Sequence, residues 1–311
     1  MLKYILKRIM LMIPAILATS FIIYFAMDMT GSDPATALAP DNATEEQIEQ
    51  LREELGLNDP IFVRYGKYMM GMMRGDLGTS YVTKRDVFET FMTRLPNTIQ
   101  LAFTAVFVAT LIAVPLGIYT AIHQNTWKDT GGMVFALFGV SMPNFWLGMI
   151  LIIIFSLNLK WFPSGAKGGP ESLVLPAVTV GLGFAALITR TTRSAMLDVI
   201  RQDYMTTARA KGTGERDVIF KHGLRNALIP IITVIGMQLS NALTGSVLAE
   251  TVFSWPGVGR LIVDSIAKRD TPMVTGAIIM SCVLMCVVNL AVDLIYAFFD
   301  PRIKAQYSQK G

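Results

Sequence analysis

The chain has 311 residues, 52% of them hydrophobic and only 16% charged, well short of the roughly 25% charged residues of ordinary soluble domains. With a positive mean hydropathy it reads as an all-α, polytopic membrane protein, and its length does not imply two soluble domains. The net charge of +4 is unevenly spread and follows membrane topology; no stretch resembles an RNA- or DNA-binding module, so no nucleic-acid partner is expected.

Lys3, Lys7 and Arg8 precede an apolar run from Ile9 to Met27, long enough to cross about 30 Å of hydrocarbon at about 1.5 Å per residue. It exceeds the usual signal-peptide core and no clear A-x-A site follows, so it reads as a retained first span ending at Asp28. The segment from Thr30 to Asn97 carries its own helices. Thr44 and Gln47 make a capping box, Ile48, Leu51 and Leu55 form a stripe, and Gly56 is placed to end the helix. A second short helix is expected from Pro60 to Arg74. An amphipathic stripe here fits either a small cap packed on the outer mouth or a substrate site.

Further spans are expected at Thr98 to Ile122, Met133 to Leu157, Leu173 to Thr189, Leu228 to Ala249 and Val274 to Phe299, six in all. Pro115, Pro143, Pro176 and Pro230 interrupt or begin them. An even number places both termini on one side. The N-terminus, the Lys128 loop, the Arg190 stretch and the tail hold fifteen Lys/Arg, against five in the opposite short loops, which puts both termini in the cytoplasm. The expected divisions are 1–29, the extracytoplasmic 30–97, a core 98–300 carrying a cytoplasmic loop 190–227, and a tail 301–311.

That loop carries Arg190, Arg193, Arg201, Arg209, Lys211, Arg216, Lys221 and Arg225 against Asp198, Asp203, Glu215 and Asp217. It reads as two helices broken once. Met196, Val199, Ile200, Tyr204 and Ala208 recur at helical spacing, Gly212-Thr213-Gly214 interrupts, and Val218, Ile219 and Gly223 resume.

The fifth span is unusually polar, with Gln238, Ser240, Asn241, Thr244, Gly245 and Ser246. Val234, Gln238, Asn241 and Gly245 share a face. Such a stripe either lines a pathway or holds helices together, because polar groups in hydrocarbon must face protein or water. In the last span Asn289 and Asp293 are one turn apart, and Asp293 is expected to pair with Arg190 or Arg193 or to reach the interface. Cys282 and Cys286 serve as small hydrophobes.

No motor is present in the motifs. The Gly66-Lys67 pair is followed by Tyr68 and makes no P-loop, His123 and His222 lack metal-ligand companions, and no serine sits in a G-x-S-x-G elbow. The chain is therefore not expected to be an enzyme, nor to bind a metal or a cofactor itself. A transporter without a motor either uses an ion gradient, which calls for buried acidic relays, or takes force from another subunit.

The run Asp203-Tyr204-Met205-Thr206-Thr207-Ala208-Arg209-Ala210-Lys211-Gly212, followed by His222-Gly223-Leu224-Arg225-Asn226-Ala227, resembles the EAA loop of binding-protein-dependent ABC importer permeases, in particular the peptide and nickel branch. Gly75-Asp76-Leu77-Gly78-Thr79-Ser80, Ser141-Met142-Pro143-Asn144-Phe145-Trp146, the run from Glu250 to Gly259, and Asp293 with Asp300-Pro301-Arg302 are similar to further signatures of that branch. Thr30-Gly31-Ser32-Asp33-Pro34 departs from a Pro-Gly-Asp-Pro pattern common there.

The resemblance implies a type I ABC importer permease with a MetI-like fold in a bacterial or archaeal plasma membrane. It also implies a second related permease, two cytoplasmic ATPases that carry the ATP and Mg, and an external peptide-binding protein. Relatives carry dipeptides, oligopeptides, glutathione, nickel chelates or opine-like compounds. On this reading Thr206, Thr207, Ala208, Arg209, Lys211, Gly212, Gly214 and Glu215 couple to an ATPase, and Gln238, Asn241, Thr244 and Gly245 line the pathway. Trp255, Pro256 and Gly257 present an exposed aromatic corner that meets the binding protein or else form a simple re-entry turn.

Overall fold

Peptide groups in hydrocarbon have no water to bond, so they must satisfy one another within helices. A computed structural model describes residues 2–29, 34–40 and 43–299, apart from the side chains of 2–9, 37, 245, 293 and 295–299. The tail 301–311, Thr30-Gly31-Ser32-Asp33, Asp300 and the pairing of Asp293 lie outside the described residues. No strand forms among the described residues, beyond one bridge between Thr79 and Asp86.

Five helical stretches are long and apolar enough to cross a membrane. They lie in α1 (Leu2–Met29), α5 (Val87–Ile122), the Pro170–Ile200 stretch, the Glu215–Thr244 stretch and α14 (Thr271–Phe299). The sixth expected span, Met133 to Leu157, is not a straight rod. α6 (Trp127–Ser141) and α7 (Asn144–Leu151) meet at 98°, and α7 runs on as a π-helical turn, Ile152–Asn158. Pro143 has no N–H to extend the ladder of α6, and it forces Met142 out of the helical region to a ψ of 131°.

The chain clusters into two compact units, Met1–Thr98 with Pro256–Val287 and Ile99–Trp255 with Val288–Gly311. In the first, α2 (Pro34–Leu38), α3 (Glu45–Glu54) and α4 (Ile61–Met73) follow α1. The expected capping box is formed, with Thr44 Oγ1 accepting from Gln47 N and Gln47 Oε1 accepting from Thr44 N. Gly56, at a φ of 64°, ends α3 as expected. α4 packs on α1 through Phe21, which stands edge-on to Tyr65 at 5.4 Å, and through the Arg64 ion pair with Asp28.

The Gly75 to Ser80 motif closes this unit. Asp270, immediately before α14, accepts a hydrogen bond from Ser80 Oγ and another from Tyr81 N at 3.0 Å. Its carboxylate also sits at the positive end of α14. Asp270 is buried. Asp270→Ala leaves the buried Ser80 hydroxyl and the part-buried Tyr81 N–H without their acceptor, and the expected loss is about 2 kcal/mol. A thermal midpoint in detergent equal to that of the wild type would contradict it.

In the second unit α8 (Val174–Ile200) is the central helix, buried along much of its length. Close approach rests on missing side chains. A Cβ at Gly181 would lie 2.7 Å from the Ala105 carbonyl oxygen of α5, and one at Gly139 of α6 would lie 2.8 Å from that of Leu182. Arg193 of α8 clamps Asp129 of α6 in bidentate fashion, Nε to Oδ1 at 2.7 Å and Nη2 to Oδ2 at 2.6 Å. Asp129 also accepts the N–H of Asn125, the residue before the N-cap Thr126, at 3.0 Å, which ties the entering chain to the first turn of α6. Arg193 is thus engaged through Nε and Nη2.

Candidate coupling helix and membrane pathway

The loop after α8 departs from the two-helix expectation. α8 continues to Ile200, the chain turns at Arg201 and Gln202, and one short helix, α9 (Asp203–Ala210), follows. After Lys211 to Gly214 the chain re-enters helix as α10 (Glu215–Asp217), a π-helical turn (Val218–Leu224) and α11 (Arg225–Gly245), which run on without a break. The loop is therefore broken twice, and its second helix is the foot of the fifth span. Tyr204 is exposed, not part of the buried stripe, because the turn at Arg201 resets the helical phase.

One face of α9 is anchored. Met205 and Ala208 are buried with Val218, and Val199 and Ile200 pack against them. Gly223 lies close by, where a Cβ would stand 3.3 Å from Met205 Cε. Ala208 thus belongs to the anchor and not to the outer surface. The other face is open, with Thr206, Thr207, Arg209, Lys211, Gly212, Gly214 and Glu215 all exposed. Arg209 clasps Glu215 across the turn, Nε to Oε2 at 3.0 Å and Nη2 to Oε1 at 2.8 Å. This pairing holds the Arg209 guanidinium above its ordinary pKa. Gly212 adopts a φ of 77°, a left-handed conformation that turns the chain at little cost only without a side chain. Tyr204 and Phe220 add exposed rings to this end of the unit.

On α11 the expected polar face divides. Val234 is buried, Gln238 is only 5% exposed, and Asn241 is exposed. Asn241 Nδ2 donates to Gln238 Oε1 at 2.9 Å, so the buried amide is tied to the accessible one. Thr244 donates to the Ser240 carbonyl at 3.3 Å, and Gly245 ends the helix. Asn289 lies half-buried on α14.

The run from Glu250 to Gly259 is internal architecture. Trp255 is 1% exposed and packs with Leu101, Leu173 and Ala177, so the expected exposed aromatic corner is corrected. The cause is a folded-back chain. After α12 (Val247–Val252), Trp255 N donates to the Glu250 carbonyl at 2.8 Å, and Ala166 N donates to that of Phe253 at 2.8 Å. Asn97 Nδ2 donates to the Pro256 carbonyl at 2.8 Å, and Gly257 caps α13 (Val258–Ala267). A proline and a tight turn around a large ring were visible in the sequence, but its burial depends on partners more than 70 positions away.

Two family models describe the chain. "Binding-protein-dependent transport system inner membrane component" matches residues 113–305, and the corresponding N-terminal model matches residues 1–102. The chain belongs to this family. Among curated relatives, the permease is 41% identical over 318 residues to the oligopeptide transport system permease protein AppB of Bacillus subtilis, covering 98% of this chain and 100% of that one. It is 40% identical over 304 residues to the glutathione transport system permease protein GsiC of Salmonella paratyphi A, covering 98% and 99%. With the dipeptide transport system permease protein DppB of Alkalihalophilus pseudofirmus it shares 39% over 332 residues, covering 98% and 100%. Among solved structures, an inward-facing MetNI methionine ABC transporter superposes with a TM-score of 0.59 at 17% identity, over 67% of this chain and 95% of that one. An amino acid ABC transporter with histidines gives 0.52 at 14%, over 69% and 94%. The MetI-like fold of an ABC importer permease is thus the fold of this chain.

Proposed function

We propose that this permease forms half of the pathway of an ATP-driven importer of di- or oligopeptides. It works with a second related permease, two cytoplasmic ATPases and an external binding protein. The single observation that supports coupling most directly is α9, a short helix anchored by Met205 and Ala208 between the feet of two spans, with Thr206, Thr207, Arg209 and Lys211 facing outward. The positive-inside asymmetry supports placing that helix and both termini in the cytoplasm. Gln238 and Asn241 suit a pathway for peptides of varied side chain, since amides offer both donors and acceptors without selecting a charge. The names of the relatives support a peptide substrate. Glutathione, itself a short peptide, is the second reading, favoured by GsiC.

The test is uptake into proteoliposomes carrying all four membrane and ATPase subunits with the binding protein outside. Labelled di- and oligopeptides are expected to accumulate only with ATP inside. Accumulation driven by an ion gradient without ATP would sink the reading, and uptake of glutathione with no peptide uptake would select the second one.

A further inference from the structure

A cavity of about 260 Å³ lies in the first unit, between the N-terminal part of α5 and the start of α13. Its wall is made by Arg94 of α5 with Gly257, Arg260, Leu261 and Asp264. The face of α5 turned to it is fixed one turn further on. Asn97 Nδ2 donates to the Pro256 carbonyl and Thr98 Oγ1 accepts from Val258 N, each at 2.8 Å. Residues three and four apart share a helix face, so Arg94 stands over the same turn.

The charges in this cavity do not balance. Arg94 is half-buried and makes no hydrogen bond or ion pair with any described residue. Arg260 meets Asp264 one turn along its own helix, Nε to Oδ2 at 3.6 Å. A pair as exposed as this contributes about 1 kcal/mol or less, so Asp264 is readily exchanged for another carboxylate. Two guanidinium groups facing a single carboxylate leave the wall net positive. A guanidinium in want of acceptors suits an oxyanion, which it holds best through two parallel N–H···O bonds.

The position on α5 narrows the oxyanion. Phe103 and Phe107 are exposed and form a side of α5 suited to hydrocarbon. At about 100° per residue Phe103 lies opposite Arg94, so the cavity is turned away from that side. Leu261 is the single apolar side chain of its wall, too little to seat an acyl chain. A phospholipid headgroup is therefore the poorer fit. On the orientation given above, this end of α5 meets the incoming substrate, and a linear peptide brings a free carboxylate at its C-terminus.

We propose that Arg94 and Arg260 form a receiving site for the C-terminal carboxylate of a peptide, separate from the polar stripe of α11. Arg94 holds the carboxylate through paired N–H···O bonds, and Arg260 releases Asp264 to share it. The site rests on the import reading and on the orientation that goes with it.

The test is calorimetry on the complete permease and ATPase assembly in nanodiscs, without nucleotide or binding protein, titrated with N-acetyl-dialanine and with its C-terminal amide. The two probes differ in the terminal charge. The acid is expected to bind in the millimolar range, and the amide at least tenfold more weakly. Arg94→Gln and Arg260→Gln are each expected to weaken the acid about tenfold, to leave the amide unchanged and to keep the thermal midpoint. Arg94→Lys, which keeps the charge and loses the fork, is expected to weaken it less. No binding of the acid overturns the proposal, as do acid and amide that bind alike, or two glutamine variants that bind the acid like the wild type. Acid binding seen in phosphatidylcholine and abolished by phosphatidylglycerol overturns it in favour of a lipid phosphate. Weaker docking of the binding protein to Arg94→Gln, with acid and amide still alike, overturns it in favour of that partner. ATP-driven peptide uptake by wild-type proteoliposomes without acid binding removes this inference alone, whereas no uptake removes the import reading with it.

Discussion

Thr207→Arg is expected to lower ATP-driven uptake at least tenfold while leaving the permease inserted and its thermal midpoint within about a degree of the wild type. Thr207 is exposed on the outer face of α9, and its hydroxyl bonds only the Asp203 carbonyl one turn back, at 3.0 Å. A surface change of this kind moves stability by about 0.5 kcal/mol or less. At the centre of a subunit interface, a misplaced charge costs about 2 kcal/mol or more, some thirtyfold in affinity. The two effects therefore separate in magnitude. Gly212→Val is a poorer probe, because a branched residue at a φ of 77° strains the backbone whether or not a partner docks there. Uptake by Thr207→Arg at the wild-type rate, measured in proteoliposomes with all subunits present, would remove α9 as the point of coupling.

Asp129→Ala is expected to destabilise the second unit by about 3 kcal/mol. The Asp129 side chain is 7% exposed and that of Arg193 25%, so removing the carboxylate leaves a largely desolvated guanidinium without its partner. Breaking a buried pair costs about 3–5 kcal/mol, and the partial exposure of Arg193 places this case at the lower end. The Asn125 N–H loses its acceptor as well. Replacing both partners by apolar residues, Asp129→Leu with Arg193→Met, is expected to recover most of the loss, since neither charge is then stranded. Denaturation in detergent micelles reads both. A double variant less stable than Asp129→Ala alone would mean that the pair contributes by attraction and not by avoiding an isolated charge.

Much of this fold was legible because its signals are local. The Thr44 and Gln47 capping box, the Gly56 stop and the apolar runs of five spans depend on neighbours within a turn or two, and the structure keeps all of them. What the sequence hid depends on distant partners. The 98° bend was marked by Pro143, yet an apolar count runs straight across it. Trp255 beside a proline and a glycine looked like an exposed corner; its burial comes from Leu101 and Leu173. Arg193 was one basic residue among eight until Asp129 was brought to it from another helix. At the coupling helix the exposed residues and the glycine turn were readable. The division of α9 into an anchored and an open face was not, because Tyr204 follows a turn that shifts the helical phase.

The unbroken run from Glu215 to Thr244 gives the permease a lever. At about 1.5 Å per residue its 30 residues span about 45 Å. Glu215, held by Arg209, sits at one end, while Gln238 and Asn241 sit near the other. A torque applied at the α9 turn reaches the buried and accessible amides through two irregular places in this shaft, the π-helical turn Val218–Leu224 and Pro230, so any bending along it falls between the coupling turn and Gln238.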